Sequence, residues 1–331
     1  MNQRPSSVSR RTLLAAFATV PAGALLAACG GERAGDGGGL YHNGRLSIAT
    51  GQTTGVYYVL GGGLADLITK HVKGYQATAE ATGASVENIQ RVARGDSDIG
   101  FTLADTAADA ATGKGVFQAP QPIRALARIY NNYTHVIART AAKAGSVADL
   151  KGKRVSTGAP NSGTEVIALR LLKAAGLDPD SDISKQSLGL PETVQGMKEG
   201  TVDAMFWSGG LPTGGVTDLV TSQKDGVRFV PVGELLQPLQ DEYGTVYQEA
   251  SIGKDVYQQP ADVPSIGVPN FLVVSEKLPD QLAYDVTKLL FDYQDELVKV
   301  HPEAKNIARD NAPKTEPVKL HPGAKRYYDE A

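Results

Sequence analysis

Two short loops hold most of the polar chemistry of this sequence. One runs Thr50-Gly51-Gln52-Thr53-Thr54-Gly55; the other runs from Thr157-Gly158 to Asn161-Ser162-Gly163-Thr164. Each is rich in glycine and hydroxyls, and each stands between an apolar run and a helical pattern. A loop that leaves the carboxyl end of a strand and opens a helix presents unpaired backbone N–H groups to the positive end of the helix dipole, and the chemistry open to it is anion binding. Catalytic patterns do not appear. Gly158-x-x-x-x-Gly163-Thr164 has the spacing of a phosphate-binding loop, but no lysine precedes Thr164 to meet a nucleotide's terminal phosphates. No Gly-x-Gly-x-x-Gly follows the first strand pattern, and neither His-Glu-x-x-His nor Gly-x-Ser-x-Gly occurs. The histidines at 42, 71, 135, 301 and 321 lie far apart, and Gly95-Asp96-Ser97-Asp98 reads as turn punctuation rather than a metal loop. The sequence therefore points away from an enzyme and calls for no cofactor and no metal.

The elements that position these loops follow one plan used twice. Leu46-Ser47-Ile48-Ala49 ends in Thr50-Gly51 and leads to a helical pattern at Leu64, Leu67, Ile68 and Val72. Arg154-Val155-Ser156 ends in Thr157-Gly158 and leads to a helical stretch with Val166, Ile167, Leu171 and Leu172. Each half then reaches a further helix, a Gly-x-x-Asp turn (Gly95 to Asp98, Gly200 to Asp203) and a hydrophobic strand. Two such units predict two α/β lobes, each with a mostly parallel sheet, and a cleft between them. Any α/β protein repeats strand-loop-helix units, so the echo alone also fits an ordinary single sheet. Leu282, Val286, Leu289, Leu290, Tyr293, Leu297 and Val300 recur at helical spacing after Pro279-Asp280 and predict one amphipathic helix that returns to the first lobe. The expected hinge lies near 132–137 and 250–256.

The first 28 residues form an export signal: a basic stretch ending in Ser9-Arg10-Arg11-Thr12, then an uncharged run from Leu13 to Ala28. That run is short for a membrane span, which needs about 20 residues, and it contains Pro21 and Gly23. Leu26-Ala27-Ala28-Cys29 looks like a bacterial lipidation box, making Cys29 the lipidated N-terminus of the mature chain, and the paired arginines resemble a twin-arginine signal. Without residues 1–28 the balance is 30 basic against 36 acidic residues, a charge of −6, which disfavours a nucleic-acid partner. Cys29 is the sole cysteine, so disulfides and zinc-cysteine sites are excluded and stability must come from an apolar core. Gly30–Gly39 reads as a flexible tether of roughly 17 Å root-mean-square reach.

Specific words along the chain resemble the TAXI group of solute receptors, the binding components of one class of tripartite ATP-independent periplasmic (TRAP) transporters. They are Ile48-Ala49-Thr50-Gly51-Gln52-Thr53-Thr54-Gly55-Val56-Tyr57-Tyr58 with Gly61-Gly62-Gly63, Thr82-Gly83-Ala84-Ser85-Val86-Glu87-Asn88, Asp149-Leu150-Lys151-Gly152-Lys153-Arg154-Val155, Asp203-Ala204-Met205-Phe206-Trp207 and Leu320-His321-Pro322-Gly323-Ala324. Gln52 and Ala84 stand where the family commonly has glycine. The resemblance implies a type II periplasmic-binding-protein fold, two α/β lobes joined by a hinge around an interlobe cleft. The division it suggests is a signal at 1–28, a tether at 29–43, lobe 1 from 44–134 and 254–331, and lobe 2 from 135–253. It also implies a monomeric receptor, lipid-anchored to the outer face of the bacterial membrane, that passes a small carboxylate (glutamate-like or 2-oxoglutarate-like) to a small and a large membrane subunit, or a fused pair. The same fold also serves ABC importers and sensor kinases, and a secreted enzyme using the cleft is the remaining alternative.

A carboxylate leaving water needs several convergent donors to replace its hydration. On the first side the candidates are Gln52, Thr53, Thr54, Tyr57 and Tyr58 from the first loop, with Ser85 and Asn88 at the start of the next helix; across the cleft they are Ser162, Gly163 and Thr164. Asp105 is a candidate for an amino acid's ammonium, and Trp207, followed by Ser208-Gly209-Gly210, for a cleft wall. Each has a plainer alternative: Tyr57, Tyr58 and Trp207 as ordinary packed rings, Ser85 and Asp105 as helix caps.

Overall fold

The computed structural model describes residues 40–330; the export segment, Cys29 and most of the tether lie outside them. A 3-10 turn leads into β1 (Arg45–Ala49), α1 (Val56–His71), β2 (Gln76–Glu80), α2 (Ser85–Arg94), β3 (Ile99–Leu103) and α3 (Ala104–Thr112). The long strand β4 (Ile123–Arg139) then passes to a second unit in the same order: β5 (Arg154–Ser156), α4 (Gly163–Ala174), β6 (Ser184–Gln186), α5 (Leu190–Glu199), β7 (Ala204–Gly209) and α6 (Gly214–Gln223). After β8 (Val227–Phe229), α7 (Leu236–Tyr243) and β9 (Gln248–Ile252) comes a second long strand, β10 (Val263–Ser275), followed by α8 (Asp280–Asp292), α9 (Gln294–Val300) and α10 (Pro322–Glu330). Among the described residues no helix is long and apolar enough to cross a membrane.

The strands form one mixed sheet in the order β2-β1-β3-β10-β4-β7-β5-β6, with β8 added on β4 and β9 on β10. That order is a near-palindrome. Parallel β2-β1-β3 abuts antiparallel β10, parallel β6-β5-β7 abuts antiparallel β4, and β10 and β4 join the halves as an antiparallel pair. The repeat read from the sequence is thus a repeat in space.

The Gly-x-x-Asp turns show why the plan recurs. Gly95 and Gly200 end α2 and α5 with φ of 81° and 79°, left-handed values that glycine adopts without a Cβ clash. Three residues on, Asp98 accepts the Ser47 N–H at 2.7 Å and donates its own N–H to Ser47 O at 3.0 Å. Asp203 makes the same two bonds with Arg154, at 3.0 and 2.8 Å. Each aspartate therefore fixes the register between the first and third strands of its unit.

Each unit has its own core. Ile48, Leu64, Ile68, Phe101, Leu272 and Leu290 pack in the first, and Ile137, Val194, Met205, Val216 and Leu219 in the second. A further core bridges the two, setting Val86, Ile89 and Ala107 with Val155, Ile167 and Leu171. The C-terminal amphipathic stretch does pack against α1, but as two helices. Tyr293 leaves helical geometry (φ −121°, ψ 26°) and separates α8 from α9, and the Gln294 side-chain amide donates to the carbonyls of Ala304 and Ile307 at 2.8 and 2.9 Å. The chain returns to the first half-sheet along β10 rather than at 250–256, where β9 and its exit turn lie.

Candidate functional site

Three helix starts line one cavity at the junction of the two units: Gly55–Tyr57 of α1, Ala84–Ser85 of α2 and Ser162–Thr164 of α4. The strand side comes from Leu103 at the end of β3, Tyr130 and Asn132 on β4, and Trp207 to Gly209 on β7. The first N–H groups of a helix have no partner within it, so three sets of donors and three positive dipole ends meet here. No charged side chain is among the lining residues. The polar groups the lining offers are backbone groups, hydroxyls, side-chain amides and the Trp207 indole N–H.

The walls are close. The Glu87 N–H donates to Asn161 O at 3.1 Å across the junction. A Cβ built on Gly163 would stand 2.6 Å from both Ser85 Oγ and Leu103 Cδ1, so any larger residue there forces a shift. The cavity volume is about 30 Å³, room for roughly two waters. A four- or five-carbon acid enters only if the walls part.

Seven of the twelve residues singled out for ligand contact line this cavity: Gln52, Tyr57, Ser85, Ser162, Gly163, Thr164 and Trp207. Ser162 caps α4, its hydroxyl accepting the Glu165 N–H at 2.9 Å. Thr164 Oγ1 accepts the Ser208 N–H at 3.2 Å, tying the helix start to β7. Trp207 Nε1 donates to Thr213 Oγ1 at 3.0 Å, which sets its ring beside Gly55. Gln52 Nε2 donates to the Thr82 carbonyl at 3.1 Å. Tyr57 is a buried ring whose hydroxyl donates to Asn270 Oδ1, and burial keeps that hydroxyl protonated by pushing its pKa up.

Five do not line it. Thr53 and Thr54 are exposed, and Thr54 faces an outer groove with Pro212 and Gly214. Tyr58, one residue past Tyr57 on the helix, turns away from the cavity, since neighbours in a helix do not share a face. Asn88 is fully committed to the framework: its amide donates to the carbonyls of Thr50 (2.6 Å) and Phe101 (2.8 Å), and its oxygen accepts the Thr82 hydroxyl at 2.6 Å. Asp105 is buried elsewhere, accepting the Tyr247 hydroxyl at 2.8 Å and its neighbour's Thr106 N–H at 2.6 Å, with Arg170 at 3.7 Å. Its carboxylate belongs to that cluster and is not a partner for a ligand's ammonium. Ser85, too, differs from expectation in detail. It is the first residue of α2 rather than its cap, and its hydroxyl accepts the Leu103 N–H at 3.0 Å.

Sequence reasoning missed Tyr130, Asn132 and Ser208. Asn132 Nδ2 donates to Ser208 O at 3.0 Å, Asn270 Nδ2 donates to Asn132 Oδ1 at 2.8 Å and to Tyr130 O at 3.1 Å, and Tyr57 completes the chain. This buried relay runs from α1 through both long strands to β7. Its signal in the sequence is Asn131-Asn132 interrupting the apolar pattern of a long strand.

Residues 48–331 match the model of the NMT1-like family. Solved structures share the architecture. PhnD1 from Prochlorococcus marinus (MIT 9301), in complex with methylphosphonate, is 11% identical with a TM-score of 0.54, over 80% of this chain and 91% of that one. A binding protein component of an ABC phosphonate transporter from Pseudomonas aeruginosa is 14% identical with a TM-score of 0.54, over 80% of each chain. The fold is the two-lobe periplasmic-binding-protein fold.

Proposed function

We propose, from the premise that this chain belongs to the NMT1-like family, that it is an extracytoplasmic receptor that captures a small carboxylate between its lobes and delivers it to a membrane transporter. The observation that carries this reading is the convergence of the α1, α2 and α4 starts on one cavity with no charged side chain in its lining. Several fixed donors around one small volume replace the hydration of an anion without moving, and a small cavity between two lobes suits capture and release. None of the lining groups is arranged as a nucleophile beside a base.

The finer reading places the chain in the TAXI group. On it, Cys29 carries the lipid anchor, the mature monomer works at the outer face of the cell membrane, and its partners are the small and large TRAP subunits or their fusion. On it the chain passes from lobe 1 to lobe 2 along β4 and returns along β10, so that lobe 1 takes the residues before and after these strands and lobe 2 those between them. Thermal unfolding of the purified chain against a panel of carboxylates and amino acids tests the receptor reading. A ligand of micromolar affinity at a hundredfold excess stabilises by about 2.7 kcal/mol, and a panel without any shift overturns the reading. Uptake into vesicles with the partner membrane subunits separates the transporter classes: dependence on an ion gradient supports TRAP, and dependence on ATP supports an ABC importer.

A further inference from the structure

We infer that the cleft selects acids that carry an additional neutral oxygen and no ammonium group, with the hydroxyls of Tyr130 and Ser208 donating to that oxygen. The inference rests on the reading of this cavity as a carboxylate site. Tyr130 is 2% exposed and Ser208 6%, both line the cavity, and neither hydroxyl has a hydrogen-bond partner among the described residues. Buried hydroxyls are almost always paired, because an unmade bond is costly. Thr134, Thr157 and Tyr327 also have unpaired buried hydroxyls, but none of them lines the cavity.

The two hydroxyls are held in place by their own backbones. Tyr130 O accepts from Asn270, Ser208 N–H donates to Thr164 and Ser208 O accepts from Asn132. Only the side chains are left over. Burial pushes the Tyr130 hydroxyl well above its ordinary pKa, so it remains a donor at any physiological pH. A keto or hydroxyl oxygen on the ligand accepts from such groups; an ammonium meets them only as neutral acceptors, which do not offset its charge.

The charge pattern points the same way. Three helix starts favour negative charge and oppose a cation. A carboxylate is the partner that offsets an ammonium's charge, and the lining contains none. Asp105 is taken by Tyr247 and Arg170. Glu303, packed behind Gly210, has one oxygen on the Leu211 N–H at 2.6 Å and the other on Asn306 at 2.7 Å.

Titration calorimetry on the purified chain with matched triplets tests this: 2-oxoglutarate, L-glutamate and glutarate; L-malate, L-aspartate and succinate; pyruvate, L-alanine and propionate. In the triplet that binds tightest, the oxygen-bearing acid binds at least about tenfold tighter than the amino acid. In Tyr130→Phe and in Ser208→Ala its preference over the unsubstituted acid falls at least about fivefold, roughly one neutral hydrogen bond. An amino acid that equals or beats its oxygen-bearing counterpart overturns the inference and leaves the carboxylate receptor standing, as does a preference unchanged in both variants. No binding by any acid overturns the receptor reading and this inference with it.

Discussion

Arg170 on α4 donates to Asp109 on α3 at 2.5 Å, a charged bond from the second unit into the first. The guanidinium also donates to the Tyr247 hydroxyl at 2.8 Å and lies 4.1 Å from the centre of the Tyr243 ring, with only 11% of the side chain exposed. Burial pulls its pKa down, but Tyr247, Asp105 and Asp109 outweigh that and hold it charged.

Removing one partner of a buried ion cluster strands the others. Arg170→Met, which keeps the volume, is expected to cost about 3–5 kcal/mol in urea unfolding because Asp105 and Asp109 lose their cation. Arg170→Lys recovers little, since a point charge does not reproduce the planar contacts to Tyr247 and Tyr243. A loss below about 1 kcal/mol for the methionine variant contradicts this.

Gly163→Ala tests how closely the walls must meet. Its methyl would sit 2.6 Å from Ser85 Oγ and Leu103 Cδ1, so either these side chains or the α4 start must shift. Ligand affinity is expected to fall about tenfold or more, with small-angle scattering of the ligand-bound form reporting a larger radius than wild type. Unaltered affinity shows that binding does not need this approach.

Asn270→Ala cuts the relay at its middle, leaving the Tyr57 hydroxyl and Asn132 Oδ1 without their partner. The Tyr130 carbonyl also loses the Asn270 donor, and the expected loss is about 2–4 kcal/mol of stability, from buried polar groups deprived of their partner. Asn270→Asp, which keeps the acceptor for Tyr57 but not the donor to Asn132, should fall between. A fully stable alanine variant shows that water takes over the relay.

His135 sets a pH dependence. Buried on β4 between the Tyr133 carbonyl (2.9 Å) and the Tyr257 hydroxyl (3.1 Å), it is pushed by desolvation from 6.5 down to about 4. Between those values the unfolded chain binds the proton and the folded chain does not, so stability is full above pH 6.5 and falls as pH drops toward 4. The loss amounts to about 3 kcal/mol at most. His301 and His321 are also lowered by burial and act in the same direction. The slope of unfolding free energy between pH 7 and 4.5 should therefore be shallower, not flat, in His135→Gln; an unchanged slope refutes the assignment.

What was legible in the sequence was what local spacing dictates. Gly95 to Asp98 and Gly200 to Asp203 announce themselves because a left-handed glycine and a register-fixing aspartate must sit three residues apart, and the helix starts at Gly55 and Ser162 because glycine and serine begin helices. The misreadings share one cause. Asp105 and Asn88 have the side chains of caps or ligand contacts, but which group claims them depends on partners elsewhere in the fold, such as Tyr247, 142 residues away. Tyr130 and Ser208 escaped notice for the converse reason: nothing near them in sequence says that their strands end up side by side with a hydroxyl to spare.

On the proposed reading, the donors of this cleft are mostly peptide groups at helix starts, and that governs how the protein can evolve. A side-chain substitution leaves a main-chain N–H where it was unless it brings in proline or moves the helix. Attraction for a negative charge is thus inherited almost regardless of sequence drift, while Tyr130, Ser208 and Trp207 remain free to vary. On the receptor reading, a few side-chain replacements would change which acid fits while the main-chain donors stay in place.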